Sequence, residues 1–312
     1  MKPFAVYQYL DGDIMTDRDK REVNSKFWNK GKWENFVLPF LPKEKEILNE
    51  MVFVDMGCNA GLFLKMAEDL GFGKVIGVDI SEEAINRGIK WRDEHNYHYQ
   101  MLLLRMQHCI DTLPLADYTV LANAHYYFTI NDWIDYLDRL PYKTRYCVIV
   151  TAEKRVRQFC WASADIDDIR IYFKGWKEVG FVDLLPTDGD PAPRKLWGLC
   201  FESPYLERVP IDSIVTRNTE ACNFFGEIDR GVEYKNTNYY DYSRKYRQRS
   251  RWSDGRLNRW FRDRIGVYND VKTNGLTRPI YVNEDNVIVD GNHRYGMMKN
   301  FGRKSIFIRR TA

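Results

Sequence analysis

The chain has 312 residues, more than one compact domain usually holds, so two domains or one with large insertions are expected. Apolar residues make up 44% and aromatics 15%, enough for real cores, yet no run approaches the roughly 18 to 20 apolar residues of a membrane span. The net charge of +3 is small only as a total, because basic residues concentrate towards the C-terminus. Asp11 and Asp13 arrive before a signal-peptide core can form, and six cysteines without a C-x-x-C pair argue against zinc and against a disulfide framework. A soluble, cytoplasmic protein with reduced thiols and no membrane partner is expected.

Residues 16–42 interleave Lys20, Arg21, Lys26, Lys30 and Lys32 with Phe27, Trp28, Trp33, Phe36 and Phe40, a pattern expected to form an amphipathic helical lid. Val52-Phe53-Val54-Asp55-Met56 then reads as a strand and Gly57-Cys58-Asn59-Ala60-Gly61 as a tight turn. Phe63, Leu64, Met66, Ala67 and Leu70 form the apolar face of a helix that Gly71 and Gly73 end. Lys74-Val75-Ile76-Gly77-Val78-Asp79 is a second strand ending in a carboxylate, and Ser81 is expected to cap a helix through about Glu94. Residues 101–105 suggest a short strand or helix end, 118–122 a strand, 130–140 a helix and 146–150 a strand. A helix over 165–179 and a strand pair at 181–185 and 196–201 complete a parallel α/β pattern.

In a doubly wound sheet such a turn lets the backbone approach an adenosine-containing ligand, and an acid at the tip of the second strand can accept hydrogen bonds from both ribose hydroxyls. A dinucleotide fingerprint would place glycine where Asn59 and Leu62 stand. Asp55-x-Gly57-x-Asn59-x-Gly61 followed by Asp79 instead resembles motif I of class I S-adenosylmethionine (SAM) methyltransferases, and the closing strand pair extends the resemblance over residues 45–202. The resemblance implies an α/β, Rossmann-like methyltransferase sheet with SAM as cofactor. It implies that Gly57 and Gly61 pass under the methionine portion, that Asp79 grips the ribose and that Met106 and Gln107 flank adenine. Asp55 is expected to anchor the turn or the cofactor's ammonium. Cys58, Asn59, Ile80 and Asn123 complete the expected cofactor contacts, and core packing is the alternative for Met106.

Asn123-Ala124-His125-Tyr126-Tyr127-Phe128 follows the fourth strand, at the edge where open α/β folds bind substrate. His125 there can take a proton from a hydroxyl acceptor, with a hydrogen-bonded structural role as its alternative. Tyr126 and the lid residues Lys26, Trp28 and Lys32 are the expected substrate contacts, and the alternative for the lid is a solvated amphipathic helix whose aromatics merely cover the sheet. Neither the Asn/Asp-Pro-Pro-aromatic signature of DNA amino-methyltransferases nor the Pro-Cys pair of cytosine-C5 enzymes occurs at this place. An oxygen acceptor, a hydroxyl or a phosphate, is therefore expected.

Residues 203–312 begin a new pattern at Arg208-Val209-Pro210-Ile211-Asp212-Ser213-Ile214-Val215. They continue to Gly275-Leu276-x-x-Pro279-Ile280 and Asp290-Gly291-Asn292-His293-Arg294. This resembles the ParB/sulfiredoxin-like fold, a smaller α+β domain. A turn opening a helix is a natural anion site, to which Arg294 can add a bidentate phosphate contact. Sulfiredoxins carry their catalytic cysteine where Asn292 stands, which sets that activity aside. Free-serine kinases and ParB nucleotidases share the fold and bind ATP or CTP at this turn. The resemblance thus implies Gly291, Asn292, His293 and Arg294 as nucleotide contacts, with Asp290 holding Mg²⁺ or orienting the turn. Glu220 is most similar to the acidic catalytic residue of the serine kinases, and Glu227 and Asp229 compete with it. Between these elements, Arg244, Lys245, Arg256, Arg259, Arg262 and Arg264 interleave with tyrosine and tryptophan, a composition that suits phosphodiester or nucleotide ligands.

The sequence thus suggests three segments: a lid at 1–44, a methyltransferase domain at 45–202 and a ParB-like domain at 203–312. The first functional expectation is a bifunctional O-methyltransferase and nucleotide-dependent phosphotransferase acting on a small molecule or glycan. The second is a nucleic-acid methyltransferase whose C-terminal domain only recruits DNA or RNA through residues 244–264.

Overall fold

The computed structural model describes residues 8, 10, 29–152, 166–184, 195–249 and 252–311. The chain divides into two compact units, Met1–Pro204 and Tyr205–Ala312.

The N-terminal unit is built on seven strands: β1 (Val52–Met56), β2 (Lys74–Asp79), β3 (Gln100–Leu103), β4 (Ala116–Ala122), β5 (Thr144–Ala152), β6 (Lys177–Leu184) and β7 (Leu196–Glu202). Their order is β3-β2-β1-β4-β5-β7-β6. The first five run parallel, and β7 pairs antiparallel with both β5 and β6. The fold is α/β and Rossmann-like, with the strand order reversing between β1 and β4. Alternate residues of each parallel strand enter different cores: Phe53, Val75, Val120 and Val148 one, and Val54, Ile76, Leu121 and Ile149 the other. Both faces are covered, which is why these strands read as continuous apolar runs.

Helices α1 (Leu62–Leu70) and α2 (Glu82–Glu94) pack on the first face, and α3 (Met106–Cys109), α4 (Ile130–Arg139) and α5 (Ile166–Tyr172) on the second. Ser81 caps α2 as expected, its hydroxyl accepting from the Ala84 N–H at 3.3 Å. The helix expected over 165–179 is shorter. It stops at Tyr172, Gly175 takes a left-handed φ of 94°, and Lys177 already begins β6. Cross-strand pairing with β7 decides this boundary, and local periodicity does not report it.

The lid differs more. Asn29–Lys32 is one helical turn, followed by a π turn (Trp33–Val37) and a 3₁₀ turn (Leu38–Phe40). Trp33 and Phe36 are buried in the first core, Trp33 edge-on to Phe53 and Phe63 at 5.7 and 5.5 Å. These aromatics cover the sheet. Residues 1–7, 9 and 11–28, including Lys26 and Trp28, lie outside the described residues.

The C-terminal unit has a four-stranded sheet of order β10-β9-β11-β8, from β8 (Glu207–Pro210), β9 (Ile280–Val282), β10 (Ile288–Asp290) and β11 (Ser305–Arg310). The helices are α6 (Thr219–Asp229), α7 (Asn238–Arg249), α8 (Asp254–Asn274) and α9 (Asn292–Asn300). Phe224, Phe225, Phe261 and Tyr268 pack between them, with Phe225 stacked on Tyr268 at 4.7 Å. Within the segment 208–215, β8 ends at Pro210 and Ile211–Ser213 is a 3₁₀ turn. Among the described residues, no helix is long and apolar enough to cross a membrane.

Candidate functional site

In the N-terminal unit, β1 ends in a turn with three left-handed residues: Gly57 (φ 84°), Asn59 (φ 48°) and Gly61 (φ 92°). A Cβ on Gly57 would stand 2.8 Å from the Ala124 Cβ, so both conformation and space demand glycine there. The Gly57 and Cys58 N–H groups donate to the Val78 carbonyl at 2.8 and 3.0 Å, which ties the turn to the end of β2. Asp79, the last residue of β2, accepts the Asn59 N–H on Oδ2 and the Ser81 N–H on Oδ1, both at 2.8 Å. A carboxylate oxygen has two lone pairs, so each keeps acceptor capacity after these bonds.

Asp55 lies directly behind the turn. Only 1% of it is exposed, and its Oδ2 has no hydrogen-bond partner. Burial, and after it the charge of Asp79, raise its pKa to about 8. Burial and the same two acids also push the Cys58 thiol well up, so it is not a nucleophile. Gln8 was not foreseen. Its backbone N–H donates to Asn59 Oδ1 at 3.2 Å and its side-chain oxygen accepts from the Leu62 N–H at 2.9 Å, clamping the turn and the start of α1.

At the carboxyl edge of the sheet, Asn123 follows β4 with a φ of 57°. With its amide oriented to satisfy both ends, its oxygen accepts from Lys32 Nζ at 2.8 Å and its nitrogen donates to the Val150 carbonyl at 3.1 Å. Lys32 and Asn123, expected separately, are thus brought together. Met106 is buried, and its Sδ would lie 3.6 Å from a Cβ on Gly57. Gln107 Nε2 donates to the Tyr127 carbonyl at 3.2 Å, and Ile80 is exposed. The Tyr126 hydroxyl accepts from the Ala152 N–H at 2.7 Å and shares a 3.1 Å bond with Thr151 Oγ1, which commits it to the end of β5.

His125 does not stand where a proton acceptor should. It is completely buried, 3.3 Å from Thr151 Oγ1 through Nε2, with its ring beside Tyr126 and Trp133. Burial alone lowers its pKa to about 3. The imidazole is neutral and a weak base, and the structure gives it a core role in place of an accessible catalytic one.

The C-terminal unit contains a cavity of about 640 Å³ bounded by α8, the strand entry at 276–278 and the turn opening α9. Trp260, Arg264, Arg278 and Arg294 line it beside Val267, Val271, Leu276 and Met297. Asp290, Gly291, Asn292 and His293 lie on its wall as well, and Gly291 takes a φ of 108°. Arg294 is held by Asp290 and by the Pro279 carbonyl, both at 2.5 Å. Asn292 Oδ1 accepts from Thr216 Oγ1 at 2.8 Å, and the His293 ring lies 5.4 Å from Trp260. Arg278 was missed, although it stands inside the Leu276-x-x-Pro279 segment that the sequence singled out.

Glu220 is not brought to this cavity. It is exposed in the first turn of α6, and its neighbour Asn218 is the lining residue. Glu227 binds the Asn238 backbone and side chain, while Asp229 accepts from Tyr268 and Asn300, so both rivals are structural. In the basic segment Arg256 lies over Trp252 at 4.3 Å and Arg264 over Trp260 at 5.1 Å. Side chains of residues 247–251 lie outside the described ones. No group of three or more metal-ligating His, Cys, Asp or Glu occurs among the described residues.

No protein-family model matches the chain, and no curated protein matches its sequence. Among solved structures it is similar to the PH0226 protein of Pyrococcus horikoshii OT3, at 12% identity over 64% of this chain and 96% of that one, with a TM-score of 0.47. It is similar to the N-methyltransferase NodS of Bradyrhizobium japonicum WM9, at 19% identity over 49% and 86% of the two chains, with a TM-score of 0.42. Magnesium protoporphyrin IX methyltransferase of Synechocystis PCC 6803, solved with bound SAM, matches at 16% identity over 48% and 69%, with a TM-score of 0.38.

Proposed function

We propose that the N-terminal unit binds SAM and directs its methyl group to an oxygen of a small molecule or glycan. One observation carries this reading. At the switch point between β1 and β4, a turn with three left-handed residues is hydrogen-bonded to Asp79, which retains acceptor capacity for ribose hydroxyls. The buried carboxyl of Asp55, with its Oδ2 unpartnered, fits the same ligand, because it answers a positive charge. When bound, SAM supplies an electrophilic methyl group on a sulfonium.

The chain's own contribution is to hold the acceptor in line and exclude water. His125, completely buried and with its basicity lowered by that burial, is a poor proton acceptor. The acceptor this edge suits is therefore an oxygen that arrives already anionic, such as a phosphate, and Lys32 at Asn123 supplies positive charge there.

For the C-terminal unit we propose a nucleotide ligand such as ATP or CTP. The ParB/sulfiredoxin-like reading is supported by the position of the Asp290–Arg294 turn on a cavity with an apolar wall and three arginines. Phosphoryl transfer has no comparable support, since Glu220 stands outside the lining and Asp290 is paired with Arg294.

Calorimetry with SAM and S-adenosylhomocysteine tests the first proposal. Asp79→Ala removes the ribose acceptor and should cost about 1.5–3 kcal/mol of affinity, the range for hydrogen bonds to a charged group. Unchanged affinity in a folded Asp79→Ala protein excludes the assignment. Equilibrium titration of ATP and CTP with Mg²⁺ tests the second, and absence of binding at millimolar nucleotide rejects it.

A further inference from the structure

Helices α7 and α8 carry an aromatic and basic surface that neither proposed ligand uses. Tyr242 and Tyr246, one turn apart on α7, are 47% and 63% exposed. Their rings are stacked, with centroids 6.3 Å apart and planes inclined by only 4°. Buried Tyr239 continues the row, stacked on Tyr242 at 6.4 Å and approaching Trp260 of α8 at 6.1 Å. Trp260 in turn lies 5.4 Å from His293, and both belong to the cavity wall. A line of rings therefore runs from an exposed helix face to the cavity, and its outer two members are open to solvent.

Cations accompany this line. Arg256, Trp260 and Arg264 recur at every fourth position of α8 and so share one face of it. Arg256 lies over Trp252 at 4.3 Å and Arg264 over Trp260 at 5.1 Å, each cation kept beside a ring. Exposed Lys245 follows Tyr242 by three residues, and exposed Arg259 immediately precedes Trp260. Acids do not balance these charges. Residues 239–264 hold nine Lys or Arg against three Asp, and one of the three, Asp254, already approaches Arg244 at 3.9 Å.

An excess of this size calls for a polyanion, and open, stacked rings call for flat partners. A sulfated or uronic glycan brings the charge without the flat faces. A duplex has flat bases but keeps their faces inside its own stack. A single strand offers both at every residue. We propose that the α7–α8 face of the C-terminal unit binds single-stranded nucleic acid, its bases stacking on Tyr242 and Tyr246 and its phosphates held by Lys245, Arg256 and Arg259. The inference goes beyond the nucleotide reading of the cavity and does not depend on it, because neither tyrosine is among the cavity's lining residues.

Fluorescence anisotropy on the whole chain tests this, with labelled oligo(dT) and oligo(U) of about ten nucleotides, a length within one single-strand site. Labelled heparin and a DNA duplex of the same length are the controls. Both single strands should bind, with log Kd rising against log salt by about 0.7 for each phosphate contacted. Tyr242→Ala with Tyr246→Ala should weaken single-strand binding roughly tenfold or more and leave the salt slope unchanged, because the lost rings carry no charge. The same pair changed to Phe keeps the rings and should bind within about twofold of the wild type. Lys245→Gln with Arg259→Gln should lower the slope by about 0.7 for each charge removed. Should the alanine pair not fold, Tyr246→Ala alone, at the more exposed ring, reads in the same direction. The proposal is overturned if neither single strand binds at low salt, if the alanine exchange leaves affinity unaltered, or if the charge variant keeps the wild-type slope. If the alanine exchange weakens heparin or duplex binding as much as single-strand binding, the rings serve a glycan or a duplex, and the proposal falls as well.

Discussion

Among the described residues two helices open after a left-handed glycine, α1 after Gly61 and α9 after Gly291, and the side chains around them carry opposite charges. Around the first, Asp55 and Asp79 are buried and Gln8 already occupies the Leu62 N–H. Around the second, Arg264, Arg278 and Arg294 line an open cavity. The partial positive charge of a helix N-terminus is common to both. The glycine turn only lets the ligand come close to the backbone. The side chains packed around it decide whether the ligand is the cation proposed for the N-terminal unit or the anion proposed for the C-terminal one.

The sharpest way to separate the two turns is a Cβ at each. Gly57→Ala pays for the left-handed conformation and for a 2.8 Å approach to the buried Ala124 Cβ, in the loop after β4. It should destabilise the protein by about 2–4 kcal/mol in urea denaturation. In Gly291→Ala the new methyl group meets the Arg294 guanidinium at 3.2 Å, a looser approach than the 2.8 Å at Gly57 and to the end of a side chain. That change should cost about 1–2 kcal/mol, mostly the conformational part. Equal losses at the two sites would show that packing against Ala124 does not hold the first turn.

Arg294→Ala tests the charge side. It removes a guanidinium from the cavity wall and should weaken ATP or CTP binding by about 1.5–3 kcal/mol, with SAM affinity unchanged. Release of Asp290 from its ion pair adds a negative charge to the same wall, which acts in the same direction. A variant that binds nucleotide as tightly as the wild type would remove the turn from the site.

How far the sequence showed these sites depends on how local their causes are. The β1–turn–β2 segment was legible because glycine at 57 and 61 and acids at 55 and 79 are needed by backbone geometry within thirty residues. The stripe of Trp33 and Phe36 left a lid and a cover for the sheet both open, because its partners, Phe53, Phe63 and Gly198, come from other elements, and helical spacing cannot distinguish a core face from a binding face. His125 was placed correctly at the sheet edge. Its burial could not be foreseen, because it depends on how Trp133 and Tyr126 pack around it.

His125 yields a prediction on stability in place of catalysis. Its folded pKa, about 3, lies below the unfolded value near 6.5. The unfolded chain therefore binds the proton first as pH falls, and stability present above pH 6.5 is lost on acidification. Between pH 7 and pH 5 this one group should remove about 2 kcal/mol. In His125→Asn the decline over that interval should be smaller by the same amount, as read by urea titration at each pH. Equal declines in the two proteins would mean that the imidazole titrates in the folded state and is reached by solvent.

The smallest expected effect belongs to Gln8, for which the sequence offered no signal at all. Its side-chain oxygen caps the α1 N-terminus and its backbone holds Asn59, yet it precedes them by more than fifty residues. Gln8→Ala exposes the Leu62 N–H to whatever can reach it and should cost about 1 kcal/mol of stability, as loss of a helix cap does. The backbone bond to Asn59 survives the substitution, so the turn keeps its shape. SAM affinity should therefore change less than twofold. If affinity instead falls tenfold or more with stability intact, Gln8 is a ligand contact, and the helix end it covers belongs to the cofactor site after all.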